Sequence, residues 1–171
     1  MALIRELLGK TPAYGKDCWF AETAVVIGDV TMGDNCSIWY NAVLRGDVHS
    51  ITIGHNSNVQ DNAMIHCTYQ KAPTVIGNHV SIGHNAIVHG CTLEDNVLIG
   101  MGAIVMDHAV IGSGSIIGAG AVVLENTIVE PGSVYVGNPA RKVKDIGDKG
   151  TAEIQRIAGN YLKYSSWYKE S

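Results

Sequence analysis

The chain has 171 residues, 46% of them hydrophobic, and a formal net charge of −4 with no run of Lys or Arg. That length suits one domain, and the charge excludes an electrostatic grip on nucleic acid or on an anionic membrane. No basic-then-apolar leader and no apolar stretch of membrane length is present, and Cys18, Cys36, Cys67 and Cys91 show no C-x-x-C spacing, so a reduced, cytoplasmic setting is expected.

Residues 1–18 read as an irregular lead-in. From Val26 an aliphatic residue returns on a six-residue beat: Val26, Met32, Ile38, Leu44, Ile53, Val59, Ile65, Ile76, Ile82, Val88, Leu93, Ile99, Val105, Ile111, Ile117, Val123, Val129 and finally Tyr135. Four places beyond each one (position i+4) the residue is mostly small or β-branched, as at Cys36, Ala42, Ser57, Ala63 and Ala86. The i+4 residue and the next i residue are two apart, the period of a strand with one buried face. Gly102, Gly114, Gly120 and Gly132, at i+3, suit a turn needing unusual backbone angles. Each hexapeptide is therefore one short strand plus one corner. Three intervals break the beat: Leu44 to Ile53 has three extra residues, Ile65 to Ile76 has five extra, and Val88 to Leu93 is one short.

After Pro139 the character changes. Residues 141–150 are charged and interrupted by glycine, and from Thr151 the spacing of Ile154, Ile157, Ala158, Tyr161 and Leu162 predicts a helix packed on the repeats, with Asp148 or Thr151 as its cap. The expected organisation is a β-domain over residues 1–140, then a linker and helix over 141–171.

This repeat resembles that of the hexapeptide left-handed β-helix, an all-β parallel fold in which three hexapeptides close one triangular turn. The resemblance, not the periodicity, supplies the three sides and the left hand, which runs against the usual crossover rule. Eighteen units then make about six turns.

Counting by threes puts Val26, Leu44, Ile65 and Val88 on face one and Ile38, Val59 and Ile82 on face three. His66 and His89 follow Ile65 and Val88, so both point outward on face one in adjacent turns. Strands about 4.8 Å apart bring the two rings within reach of one ion. Arg45 follows Leu44 one turn earlier; Gln60 and Asp61 follow Val59 on face three, with His84 one turn above Asp61. The half-sites Arg45–His66–His89 and Gln60–Asp61–His84 thus lie on different faces of one prism. A threefold homotrimer unites them by setting face three of one subunit against face one of the next. Three neutral imidazoles and a water make an open zinc site that lowers the water's pKa to about 7 and gives a hydroxide nucleophile for CO2. Imidazole also accepts Fe2+ or Co2+. His55, His79 and His108 occupy turns and read as plain surface residues.

Three strings carry a closer resemblance: Val43-Leu44-Arg45-Gly46-Asp47, Asn58-Val59-Gln60-Asp61-Asn62 through His66, and His84-Asn85-Ala86-Ile87-Val88-His89-Gly90. They resemble the gamma-class carbonic anhydrases over roughly residues 12–140. The resemblance implies metal on His66, His84 and His89, with Gln60 hydrogen-bonded to the metal-bound water or hydroxide and Asn58 lining the CO2 pocket. It implies an intersubunit ion pair of Arg45 with Asp61, and Asp47 ordering the trimer interface.

Two departures mark a shorter subclass. Val48 stands where the archetype has a Glu, and the loop Cys67–Thr74 has no carboxylate where the archetype carries an acidic proton-shuttle loop. The expected activity is reversible hydration of CO2 to bicarbonate. The alternatives are a hexapeptide-family acyltransferase or thioesterase and a metal-binding trimer without hydratase activity.

Overall fold

Strand pairing follows the sequence repeat unit by unit in the computed structural model, which describes residues 1–169. On face one, Val26 pairs with Leu44, then Ile65, Val88, Val105 and Val123 follow in parallel register. Face two runs Met32, Ile53, Ile76, Leu93, Ile111, Val129. Face three runs Ile38, Val59, Ile82, Ile99, Ile117, Tyr135. All of these except Tyr135 are buried, and with the small residues at i+4 they fill the prism. The architecture is an all-β parallel solenoid with one C-terminal helix, matching a left-handed β-helix of hexapeptide repeats.

The prism has about seven turns, one more than the repeat count predicts. Ile4, Tyr14 and Phe20 pair with Val26, Met32 and Ile38, so the lead-in expected to be irregular forms the first turn. Its beat is hidden because Ile4 and Tyr14 stand ten apart and lie at the open end, 37% and 49% exposed, where no buried face imposes alternation.

All three irregular intervals fall at one edge, the corner between faces one and two. Elsewhere the corners share one device. The i+3 residue takes a left-handed backbone at thirteen units: Asn35, Asn41, Asn56, Asn62, His79, Asn85, Asn96, Gly102, His108, Gly114, Gly120, Asn126 and Gly132. Asparagine tolerates this region because its short amide bonds locally, so it replaces glycine through most of the coil. Of the units from Val26 to Val129, only Val26, Leu44, Ile65 and Val88 lack the device, and they are the four that enter the irregular edge.

The stretch expected to be a linker holds the strand Arg141–Asp145, antiparallel to Ser133–Val136. Every residue in it is exposed, so no apolar alternation marks it in the sequence. The helix then spans Gly147–Lys169, starting before Thr151. Neither expected cap sits at its head: Asp148 lies in the first turn, and Thr151 Oγ1 donates back to the Gly147 carbonyl at 3.3 Å. Ile154, Ala158 and Ser165 are buried against face three, and Lys169 Nζ reaches the Asp17 carbonyl of the first turn at 2.6 Å. Ser37, Asn58 and Ser81, outward-facing and in register on that face, are buried. No helix among the described residues is long and apolar enough to cross a membrane.

Candidate metal centre

Face-one register sets His66 directly opposite His89. Their ring centroids are 5.1 Å apart, and His66 Nδ1 lies 3.1 Å from His89 Nε2. Each ring's other nitrogen is held by a carboxylate: His66 Nε2 by Asp47 Oδ1 at 3.0 Å, and His89 Nδ1 by Asp107 Oδ1 at 2.6 Å. Asp47 also takes the Arg45 guanidinium, and Asp107 takes the Thr68 hydroxyl. One chain of contacts therefore runs Arg45–Asp47–His66–His89–Asp107–Thr68.

The carboxylates decide where the protons sit. Burial works to raise Asp47, but the hydrogen bonds from His66 and Arg45 outweigh it and hold the carboxyl below its usual range. Burial likewise works to raise Asp107, and Thr68 and His89 outweigh it. Both are ionised at neutral pH and only accept, so His66 donates from Nε2 and His89 from Nδ1. In neutral rings the facing nitrogens then carry lone pairs aimed at each other. At 3.1 Å that contact needs a positive charge between the two nitrogens, either a proton the pair shares or a metal ion. Two zinc ligands at 2.0–2.1 Å and a tetrahedral angle stand roughly 3.3 Å apart, so the pair is spaced and polarised to hold such an ion.

His84 sits elsewhere, on face three. Its Nδ1 lies 2.9 Å from Asp61 Oδ2, and its Nε2 is hydrogen-bonded to the Tyr161 hydroxyl on the helix at 3.2 Å. Burial, and then the Asp61 charge, push the Tyr161 phenol up to about 12, so it carries its proton at neutral pH. All three histidines thus have one nitrogen tied to a carboxylate. Among the described residues of one chain, no group of three or more His, Cys, Asp or Glu side chains is placed to hold a metal.

Gln60 and Asn58 belong with face three, 4% and 2% exposed under the helix. Gln60 Nε2 donates to Asn58 Oδ1 at 3.1 Å, and Asn58 Nδ2 to Ser81 Oγ at 2.8 Å. Within the chain Arg45 pairs with Asp47 and Asp61 with His84, so the two members of the expected Arg45–Asp61 pair lie in separate half-sites. Neither Asp107 nor Thr68 is singled out by the spacing of the histidines, and Tyr161 reads from the sequence as helix packing. Asp107 could have been, because extending face one by one turn sets Met106 beside His89 and Asp107 at the next corner position. Tyr161 could not, because no register relates a helix residue to a strand it crosses.

Fold and donor set together define a hexapeptide-repeat β-helix with carboxylate-oriented imidazoles. Residues 90–125 match the family described as bacterial transferase hexapeptide (six repeats), and residues 73–106 match the hexapeptide repeat of succinyl-transferase. The chain is 44% identical to a carbonic anhydrase of Geobacillus kaustophilus over 94% of its own length and 88% of that protein's. It is 40% identical to the mitochondrial gamma carbonic anhydrase 2 of Arabidopsis thaliana over 93% of its own length, but spans only 59% of that relative. A solved hexapeptide transferase family protein from Anaplasma phagocytophilum superposes with a TM-score of 0.93 at 40% identity, covering 97% of this chain and 98% of that one. The chain belongs to the gamma-class carbonic anhydrase family.

Proposed function

We propose that the protein is a homotrimeric, metal-dependent enzyme that reversibly hydrates CO2 to bicarbonate at sites shared between subunits. The observation that carries this reading is the 3.1 Å approach of His66 Nδ1 to His89 Nε2, with the far nitrogen of each ring on an ionised carboxylate. The third imidazole, His84, is oriented in the same way but on another face. The helix covers the centre of face three and leaves its His84–Asp61 edge partly exposed, and a cyclic trimer that sets this edge against face one of the next chain would complete a three-histidine site at each interface. Face one also carries an outward apolar ladder in register, Val25, Val43, Met64, Ile87, Ile104 and Val122, which suits burial against a second copy.

Zinc, or Fe2+ or Co2+, held by His66, His89 and a neighbour's His84 would supply the Lewis acidity that makes water a nucleophile at neutral pH. The chain's own groups do the rest. Asp47, Asp107 and Asp61 keep the imidazoles in the ligating tautomer. Arg45 holds Asp47 ionised and, in the trimer, lies near the neighbour's Asp61. Gln60 and Asn58, an amide pair next to His84, would take the roles the family resemblance implies, Gln60 donating to the metal-bound oxygen and Asn58 lining the CO2 pocket. Proton export falls to water, since the loop Cys67–Thr74 offers no carboxylate. A formal net charge of −4 and four free cysteines suit a cytoplasmic setting.

One observation favours a second reading. A cleft of about 320 Å³ beside His84 and Asp61 is walled by Trp39, Tyr40, Tyr161, Tyr164, Trp167 and Tyr168, far larger than CO2 requires. An acyl or thioester substrate would fit it, as in an acyltransferase or thioesterase on the same fold. Stopped-flow hydration of CO2 by zinc-, cobalt- and iron-loaded protein separates the two. A rate above buffer that disappears in His84→Ala supports the first. Loaded trimers with no hydration under any of the three metals, yet cleaving an acyl thioester, would transfer the assignment to the second.

A further inference from the structure

We infer that Asp107 and Thr68 are positioning residues for His89: Asp107 selects the His89 tautomer that turns Nε2 toward His66, and Thr68 locks Asp107 in place. The inference rests on the metal reading above and extends it to two residues outside the histidine set.

The argument begins with the break in the repeat. In a regular unit the i+3 residue takes the left-handed corner, but after Ile65 the chain instead makes an excursion of five extra residues. That excursion is braced on itself, with Thr68 and Ala72 bridged and the Thr68 amide donating to the Ala72 carbonyl at 3.1 Å. The brace presents the Thr68 hydroxyl to Asp107, 39 residues later in the chain and two turns along face one. Between those turns lies His89, whose Nδ1 is 2.6 Å from the other Asp107 oxygen. One carboxylate is thereby gripped by a hydroxyl on one oxygen and an imidazole N–H on the other, with 18% of its side-chain surface left to solvent. Without Thr68, a corner aspartate has free rotamers toward water. Among the described residues, Asp107 alone holds His89 Nδ1. The two histidines also differ in support: the carboxylate behind His66 is fixed by a guanidinium, whereas the one behind His89 depends on a neutral hydroxyl. The insertion thus serves the site although none of its residues is a ligand.

The test compares Asp107→Asn, Asp107→Ala, Thr68→Val, Thr68→Ser and the double variant Thr68→Val/Asp107→Asn with the parent protein. Zinc and cobalt affinities are measured by competition with a chromophoric chelator, melting temperatures on the metal-free proteins, and the His89 tautomer by ¹⁵N imidazole shifts without metal. Asp107→Asn can turn its NH2 to Nδ1 and select the wrong tautomer, so a loss of about 10–100-fold in metal affinity is expected. Thr68→Val should lose less, Thr68→Ser should keep the parental affinity, and the double variant should be no weaker than Asp107→Asn alone, because Thr68 acts only through Asp107. A purely structural role would lower the metal-free melting temperature without moving the tautomer. Asp107→Asn protein that keeps both the parental affinity and the parental tautomer overturns the inference while the metal reading stands. Parent protein that takes up no metal, yet shows the Nδ1–H tautomer lost in Asp107→Asn, sinks the metal reading and leaves the positioning roles in place. If the Asp107 variants do not fold, equal affinity and tautomer in Thr68→Val and the parent overturns the part assigned to Thr68, and a difference restored by Thr68→Ser supports it.

Discussion

His66 Nδ1 and His89 Nε2 oppose each other at 3.1 Å across one solenoid turn, while Asp47 and Asp107 hold the two rings from behind. Carboxylates that hold protons on the far nitrogens turn the lone pairs of the near ones toward each other, a contact that a shared proton or a metal ion relieves. The folded chain is therefore expected to gain stability from a divalent cation that the unfolded chain cannot bind in the same way. At a free metal concentration 100-fold above the dissociation constant the gain is about 2.7 kcal/mol. Melting curves with zinc or cobalt and then with excess chelator check it. The parent should rise and fall with the metal, and His66→Ala and His89→Ala should be insensitive. A parent melting temperature unmoved by either metal would count against the ion.

A shared site makes a quantitative claim about mixed assemblies. Neither His66→Ala nor His84→Ala alone should hydrate CO2 or hold metal tightly. Unfolding and refolding the two together at equal amounts gives each interface the intact pairing about one time in four, so about one quarter of parental activity and tight sites should return. Native mass spectrometry would first verify mixed trimers. Verified mixtures with no recovery would sink the cross-subunit arrangement, and so would activity in either pure variant.

Acid should loosen the same corner. Asp47 and Asp107 are held below their ordinary 3.8, so folding favours their ionised forms. A carboxyl with a depressed folded value contributes stability that is fully present above the unfolded value and is lost as pH falls through the folded one. The metal-free protein should therefore lose stability progressively below about pH 4. Asp47→Asn/Asp107→Asn should show a flatter decline, measured by urea midpoints between pH 2 and pH 6. A double variant with the same acid slope as the parent would assign the acid sensitivity elsewhere.

Much of this was legible in the sequence because a solenoid converts spacing directly into height. Eighteen units counted by threes reproduce the ladders through Val26, Met32 and Ile38, and the same count sets His66 beside His89 and Asp61 below His84. What escaped lies where that conversion fails. Ile4 and Tyr14 sit at an end with nothing beneath them, so burial imposes no pattern. Arg141–Asp145 pairs through its backbone alone, with every side chain in solvent. Thr68 reaches Asp107 only because an insertion folds out of register. Tyr161 meets His84 across a helix–sheet contact that no repeat encodes.

The corner device yields the last prediction. Gly102 has φ +67, and a Cβ added there would meet nothing within 4 Å, so any cost of a side chain is conformational and not steric crowding by neighbours. The left-handed region costs an ordinary L-residue about 1–2 kcal/mol. Stiffening the unfolded chain gives back about 0.4–1 kcal/mol, so Gly102→Ala should destabilise by a net of roughly 0.5–1 kcal/mol. Gly102→Asn should cost less, because seven of the thirteen left-handed i+3 positions are already asparagine. Conversely, His108 occupies φ +59 with a bulkier ring, so His108→Asn should be neutral or slightly stabilising. Urea midpoints at constant m-value check all three. Equal midpoints for Gly102→Ala and Gly102→Asn would show that the amide contributes nothing at these corners, and asparagine's place in the repeat would need another cause.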